Sequence, residues 1–266
     1  MITSIKNAFS VNGKNVLVTG GHAGIGLGIS KAFAEMGANV MMMGRRKEEG
    51  KKVAAEIEKE FGTKARFHVG DLTVKGDPAR VVEEAFNEFG SIDVLINNSG
   101  LVRWFESIEA DRNDFADWHD VISLDMTAVF IMSVYVAKKM RETGGGVIIN
   151  ITSNAGEIVN EPQTAVSYSA SKAGINHMTR MLAHEWAPYG IRVNAVAPGY
   201  TESKLGAAQD PVKYAKLNAY WMERTPTHRR NKPVEIAAAV IYLASEAAEQ
   251  VTGEIITVDG GYRLAN

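Results

Sequence analysis

Short runs rich in Val and Ile recur along the chain, with helix-periodic segments between them. "NVLVTGG", "ANVMMMG", "RFHVGD", "IDVLINNSG", "GVIINITS", "IRVNAVAPG" and "GEIITVDGG" read as seven strands. Most are apolar at successive positions, as in parallel strands covered by helices on both faces. The stretches between, such as "GLGISKAFAEMG", "VVEEAFNEFG" and "SKAGINHMTRMLAHEWAPYG", place apolar residues at helical spacing, and Pro188 and Gly190 stop the last of them. This alternation predicts an α/β fold, a doubly wound and mainly parallel seven-stranded sheet with helices on both faces. Met41, Met42 and Met43 fall inside the second strand and are expected to pack there.

No linker, repeat or low-complexity tract divides the sequence, so residues 1–266 are read as one domain. The rhythm breaks at 200–232, "YTESKLGAAQDPVKYAKLNAYWMERTPTHRRN", which is polar, aromatic-bearing and long for a connection. A substrate lid and a plain surface helical hairpin both fit such an excursion.

Composition narrows the function classes. Lys+Arg 29 against Asp+Glu 31 leave a net charge of -2, and no basic stripe with interleaved aromatics is present, so nucleic acid is not an expected partner. Cys 0 removes disulfides, thiolate metal sites and a cysteine nucleophile, and suits a reducing compartment. The start, "MITSIKNAFSVNGKN", lacks the apolar run of a secretory signal, and no run of apolar residues approaches a membrane span; a cytoplasmic protein with no membrane partner is expected. The six histidines lack HExxH or comparable spacing, and no catalytic metal is expected.

The first strand runs into "TGGHAGIG", which sets Gly20, Gly24 and Gly26 at the strand-to-helix turn. Missing β-carbons let the backbone approach a pyrophosphate at a helix N-terminus, where free N–H groups favour an anion. Roughly 20 residues later, where an acidic side chain would hold the ribose hydroxyls of NAD, stand Gly44, Arg45 and Arg46. Two arginines there can fork onto a 2′-phosphate, which favours NADP(H) while leaving NAD(H) possible. Asp71, ending the third strand, is placed to meet an adenine or to cap a helix.

"TGGHAGIG", "NNSG" at 97–100, "NITS" ending at Ser153, "YSASK" at 168–172, "NAVAPG" ending at Gly199 and "VDGG" at 258–261, in this order, resemble the short-chain dehydrogenase/reductase family over essentially the whole length. The resemblance implies a single Rossmann-type domain, usually assembled as a homotetramer or dimer. It implies cofactor contacts from Gly20, His22, Ala23, Gly24, Ile25, Gly26, Arg45, Arg46, Asp71 and Leu72. On the nicotinamide side it implies Asn97, Asn98, Gly100, Tyr168, Lys172, Pro198, Gly199, Thr201 and Ser203. In this family the tyrosine exchanges a proton with the substrate oxygen, the lysine lowers its pKa and binds the ribose, and the serine steadies the reacting oxygen. Those roles fall on Tyr168, Lys172 and Ser153.

The spacing of Tyr168 and Lys172 supports that assignment, since positions i and i+4 share one helix face. A free tyrosine, with pKa ≈ 10, is a poor base, and a neighbouring ammonium favours its phenolate. Two departures from the family pattern stand out. In "WHDVISLDMTAVF", Asp125 occupies the place of the usual fourth catalytic member, an asparagine; its carboxylate can serve there, hold Lys172, or act only structurally. The spacing from Ser153 to Tyr168, fifteen positions, is longer than the family commonly has, which enlarges the segment facing substrate.

By the resemblance, substrate contacts come from the loops around Leu101 to Trp104, Asn154 to Asn160, and 200–232. Arg103, Trp104, Glu157, Asn160, Glu161, Tyr200, Tyr220 and Trp221 give a polar, mixed-charge edge suited to a polyol, sugar or sugar acid. A 3-oxoacyl thioester reductase is the alternative enzyme, hinted at by Arg229, Arg230 and Lys232 near the entrance. A non-catalytic NADP-binding sensor is the alternative of another class. Sugar-nucleotide epimerisation would need a second domain for which the chain has no room.

Overall fold

The computed structural model describes residues 4–203 and 211–265; residues 204–210 of the excursion lie outside the described residues. Seven strands, β1 (Asn15–Thr19), β2 (Asn39–Gly44), β3 (Ala65–Val69), β4 (Val94–Asn97), β5 (Gly146–Ile151), β6 (Ile191–Pro198) and β7 (Ile255–Val258), form one sheet in the order β3-β2-β1-β4-β5-β6-β7. Every pairing is parallel. After a short α1 (Ile5–Ala8), the helices are α2 (Gly24–Glu35), α3 (Lys47–Phe61), α4 (Asp77–Phe89), α5 (Ala116–Ile122), α6 (Ala128–Thr143), α7 (Val166–Trp186), α8 (Pro211–Arg224) and α9 (Pro233–Ala244).

The double-sided burial expected of these strands is visible residue by residue. Val16, Val18, Val40 and Met42 point to one face, where Ile29 and Phe33 of α2 and Ile236 and Val240 of α9 meet them. Leu17, Met41 and Met43 point to the other, against Val81 of α4, Met132 and Val136 of α6, and Leu182 of α7. Each such fully buried side chain contributes roughly 1.5–3 kcal/mol, so a central strand is held from both sides at once. The three methionines are packing residues, split between the two layers by strand alternation.

Helices α5 and α6 are joined by a π turn, Ser123–Thr127, into a helical run Ala116–Thr143. Against expectation, this run is long and apolar enough to cross a bilayer by length and composition, with a mean hydropathy of 1.6 over its most apolar window. No charge falls between Asp125 and Lys138 because Met132, Val136 and Met140 are packed into the second core layer.

The chain reverses direction across the sheet at β1, which has β2 on one side and β4 on the other. At such a switch point the loops leaving the two strands diverge and open a crevice at their carboxyl ends. The described parts of the excursion, 200–203 and 211–232, follow β6 and precede α9. Within them α8 lays Leu217 and Trp221 against Tyr262, with Tyr200, Tyr214 and Trp104 packed around the group. The excursion is thus a helix with an aromatic inner face, and its two ends are clasped by a bridge between Thr201 and Asn231.

Candidate active site

The crevice continues as a cavity of about 760 Å³ from the glycine turn to the aromatic group under α8. At the first end, Gly20 bends the chain with φ 65°, and a β-carbon on it would lie 3.0 Å from Ser99 Oγ. A β-carbon on Gly26 would collide with the carbonyl of Gly20, so the tight turn requires glycine at that place. Gly20, His22, Ala23, Gly24 and Ile25 line the cavity, whereas Gly26 stands behind the turn and shapes it.

Arg45, Arg46, Asp71 and Leu72 line the same end. Arg46 is ion-paired with Glu49 at 2.8 Å and donates from Nε to His22 Nε2 at 3.2 Å. Burial, then the charge of Arg46, lowers the pKa of His22, leaving a neutral ring whose Nδ1 is buried without a partner. Asp71 is occupied locally: Oδ1 accepts from the Thr73 N–H at 2.9 Å and its hydroxyl at 2.7 Å, while Oδ2 lies 3.8 Å from Arg45. These bonds close a local turn and do not cap a helix, since the N-cap of α4 is Gly76.

Across the crevice, Asn98, Ser99 and Gly100 form the wall after β4, and Pro198, Gly199, Thr201 and Ser203 the wall after β6. Asn97 belongs to the interior instead. Its Nδ2 donates to Ser133 Oγ and Asn150 Oδ1, both at 2.9 Å, because strand alternation turns residue 97 away from the crevice that residue 98 faces.

Ser153, Tyr168 and Lys172 meet at the centre. Ser153 leaves β5 with its Oγ accepting the Ala155 N–H at 3.1 Å and donating to Asn154 Oδ1 at 3.4 Å, and it lines the same cavity as the Tyr168 phenol. Tyr168 and Lys172 project from one face of α7, with the ammonium 5.3 Å from the Tyr168 ring centroid. Asp125 completes the group from the π turn. Its Oδ2 lies 3.1 Å from Lys172 Nζ, and its Oδ1 accepts the Leu101 N–H at 2.7 Å. Gly100 makes room for this pair, since a β-carbon there would stand 3.2 Å from Asp125 Oδ2.

The electrostatics differ from the sequence-based expectation in one respect. Burial raises the pKa of Tyr168, Lys172 opposes it, and the charge of Asp125 adds to the rise, so the net direction is upward. The lysine acts as expected but is outweighed by burial, to which the charge of Asp125 adds a smaller push in the same direction. Burial acts to lower the pKa of Lys172, but Asp125 and Tyr168 outweigh it, and the net direction is upward. Burial also raises the pKa of Asp125 against the pull of Lys172; the proton of the pair stays on the lysine.

Of the eight residues proposed for the substrate edge, Trp104, Asn160, Tyr200 and Trp221 line the cavity. Arg103 instead faces Asp117 and Asp120, Glu157 pairs with Arg263 at 2.9 Å, and Tyr220 packs beneath Arg224. Glu161 is exposed outside the cavity wall. Sequence reasoning missed Gln163 and Tyr214, and it assigned Arg230 to an outer patch although it lines the cavity. The seven-residue spacing of Tyr214 and Trp221 on one helix was a signal for a shared inner face. Among the described residues, no group of three His, Cys, Asp or Glu side chains could hold a metal ion.

The family model described as enoyl-(acyl carrier protein) reductase matches residues 20–263, nearly the whole chain. The chain belongs to the short-chain dehydrogenase/reductase family. It is an oxidoreductase of that family, acting on alcohol and ketone groups. Among relatives, a galactitol 2-dehydrogenase (L-tagatose-forming) of Cereibacter sphaeroides is 38% identical over 97% of this chain and 98% of its own. A gluconate 5-dehydrogenase from Burkholderia cenocepacia, solved with NADP and tartrate, is 32% identical with a TM-score of 0.89, covering 98% and 99% of the two chains. A 7α-hydroxysteroid dehydrogenase solved with NADH and an oxo bile acid has the same TM-score of 0.89 and 32% identity, over 97% and 98% of the chains. The short-chain dehydrogenase/reductase fold is common to this chain and these neighbours, two of which were solved with a nicotinamide cofactor bound.

Proposed function

We propose that this enzyme interconverts a secondary alcohol and a ketone on a small hydroxylated substrate, a polyol, sugar or sugar acid, using NADP(H). One observation carries the reading: Ser153, Tyr168 and Lys172 converge on a cavity whose other walls are the glycine turn and the rings under α8. The cavity fits a dinucleotide, since its first end combines a turn closed to β-carbons with the unpartnered His22 Nδ1 and two cavity-lining arginines. The nicotinamide, when bound, supplies or accepts the hydride.

The chain's own residues handle the proton and the geometry. Tyr168 moves the proton to or from the substrate oxygen as general acid or base. Ser153 can turn its single hydroxyl proton from Asn154 Oδ1 toward that oxygen. Lys172 stays protonated, stabilises the phenolate, and is held in place by Asp125 and by the Ile151 carbonyl at 3.4 Å. Tyr200 and Trp221, stacked at 4.2 Å, give a flat apolar wall against which the carbon–hydrogen faces of a sugar chain can lie while its hydroxyls meet Asn154, Asn160 and Gln163.

Arg45 and Arg46, with no carboxylate in the expected ribose position, support NADP(H) over NAD(H); their carboxylate partners, part-exposed Asp71 at 3.8 Å and exposed Glu49 at 2.8 Å, are ones that a 2′-phosphate can displace. The names of the galactitol and gluconate relatives support the substrate class. The thioester alternative is weakened because, of the three cations expected at the entrance, Arg229 is paired with Glu235 and Arg230 lines the cavity, which leaves Lys232. One domain working as a homotetramer or dimer in the cytoplasm completes the proposal; exposed Phe130 on α6 and Met181 on α7 support the assembly.

The test follows nicotinamide absorbance with a panel of polyols, ketoses, aldonates, hydrophobic ketones and 3-oxoacyl thioesters, in wild type and Tyr168→Phe. Turnover of the hydroxylated substrates, abolished in Tyr168→Phe with NADPH binding retained, is expected. Turnover confined to thioesters or hydrophobic ketones would overturn the substrate class, and cofactor binding without any turnover would favour the sensor.

A further inference from the structure

Arg230 is a cation in the cavity wall whose partners are all neutral. Its Nε donates to Asn218 Oδ1 at 2.7 Å and its Nη1 to the Tyr214 hydroxyl at 2.8 Å, with the guanidinium carbon 5.0 Å from the Tyr214 ring centroid. It forms no ion pair with any carboxylate among the described residues. Its sequence neighbour shows the contrast, for Arg229 forks onto Glu235 with contacts of 2.6 and 2.8 Å. An arginine carries five N–H donors, and the bonds to Asn218 and Tyr214 use only part of that set. Those neutral partners fix the direction of the guanidinium plane without discharging it, the state in which arginine binds a planar anion in a forked geometry.

A run of rings connects this group to the reacting centre. Tyr200, which lines the same cavity as Tyr168, stacks on Trp221 at 4.2 Å. Trp221 meets Tyr214 edge-on at 5.7 Å, and Tyr214 holds Arg230. A chain-like substrate lying along these rings, its carbinol at Tyr168, would bring a terminal group to the guanidinium.

We propose that Arg230 receives the carboxylate of the substrate, which makes the preferred substrate an aldonate-type hydroxy acid or its keto acid and not the neutral polyol. This rests on the hydroxylated-substrate reading above. The carboxylate is a bystander in the reaction: the carbinol carbon still loses its hydride to the oxidised cofactor and its hydroxyl proton to Tyr168, and the carboxylate leaves unchanged. A phosphate of the cofactor is the other anion that could reach this cavity, and the test separates the two.

The experiment is calorimetric titration of the protein–NADP complex with a six-carbon aldonate and with the polyol of the same skeleton, alongside steady-state oxidation of both. Wild type, Arg230→Met and Arg230→Lys are compared, and each variant is titrated with NADPH. Tighter binding of the aldonate is expected in wild type. Arg230→Met should weaken the aldonate by about 10–100-fold, the range of a lost hydrogen bond to a charged group, and leave the polyol and NADPH unchanged. Arg230→Lys should keep part of the preference. If the methionine variant fails to fold, Arg230→Gln gives the same contrast by removing the charge while keeping a donor.

Equal affinity for both ligands in wild type and variant would overturn the proposal, as would a loss confined to NADPH. A polyol that is oxidised while the aldonate neither binds nor reacts sinks this proposal and leaves the proposed function standing. Failure of both classes to bind or react sinks both.

Discussion

The carboxylate of Asp125 meets the ammonium group of Lys172 at 3.1 Å, with the two side chains 0% and 4% exposed. The same carboxylate holds the Leu101 N–H, so one residue in the π turn ties the helix bearing the catalytic pair to the loop after β4. It also divides the lysine's charge between itself and Tyr168. An asparagine here would leave that charge wholly to the phenol, and several consequences can be measured.

Asp125→Asn is expected to shift the acid limb of the alcohol-oxidation pH profile to lower pH. Tyr168 acts there as the base and must be ionised; Asp125 pushes its pKa up, so removing the carboxylate lets it fall. Lys172 loses a group that holds its pKa up, so its proton is also released at lower pH. Profiles of kcat/KM in both directions check this, and an acid limb that stays in place would refute the coupling.

Gly100→Ala probes the same pair sterically. The added β-carbon would stand 3.2 Å from Asp125 Oδ2 and in ordinary contact with Lys172 Nζ at 3.5 Å, so the carboxylate must give by a few tenths of an ångström. A loss of roughly tenfold in kcat/KM is expected, about 1.4 kcal/mol of transition-state stabilisation, with little change in thermal midpoint. Unaltered kinetics would mean that the pair tolerates displacement.

Replacing Arg45 and Arg46 together by Ala should weaken NADPH by about 100- to 10,000-fold while leaving NADH unchanged, because each of the two charge-assisted contacts to a 2′-phosphate contributes roughly 1.5–3 kcal/mol. Fluorescence titration with both cofactors reads the difference directly. Parallel losses for NADH and NADPH would assign the arginines to the fold.

Glu235 anchors the start of α9. It accepts the Lys232 N–H at 2.7 Å and forks with Arg229, and that contact, then the backbone bond, holds its pKa down to about 2. A carboxyl depressed on folding stabilises the protein above its ordinary value of 4.5, and the contribution is lost as pH falls toward about 2. Glu235→Ala should cost about 1 kcal/mol near neutral pH, and chemical denaturation should show the difference from wild type shrinking on acidification. A constant difference across that range would count against the linkage.

The sheet was legible because burial on both faces leaves a continuous apolar run, and the motifs were legible because a glycine turn and a helix-spaced Tyr/Lys pair are local features. What was hidden depends on single-residue register or on tertiary neighbours. Asn97 and Asn98 are identical in sequence, yet one faces the interior and the other the crevice. Arg229 and Arg230 likewise look alike until Glu235 claims one and the cavity the other. The π turn carrying Asp125 changes a hydrogen-bonding period without any compositional mark. The upward pull on Tyr168 required the depth of the phenol as well as its neighbours.

The bridge between Thr201 and Asn231 has a consequence for how this protein can diverge. Glu202 N–H donates to Asn231 O and Asn231 N–H to Tyr200 O, each at 2.9 Å, while Asn231 Nδ2 donates to Val258 O of β7 at 2.7 Å. The chain thus departs and returns at one fixed gate on the sheet. Exchanges on α8, between the two gateposts, leave that anchorage on the sheet in place, so selectivity can drift there as a cassette while the glycine turn after β1 is inherited intact.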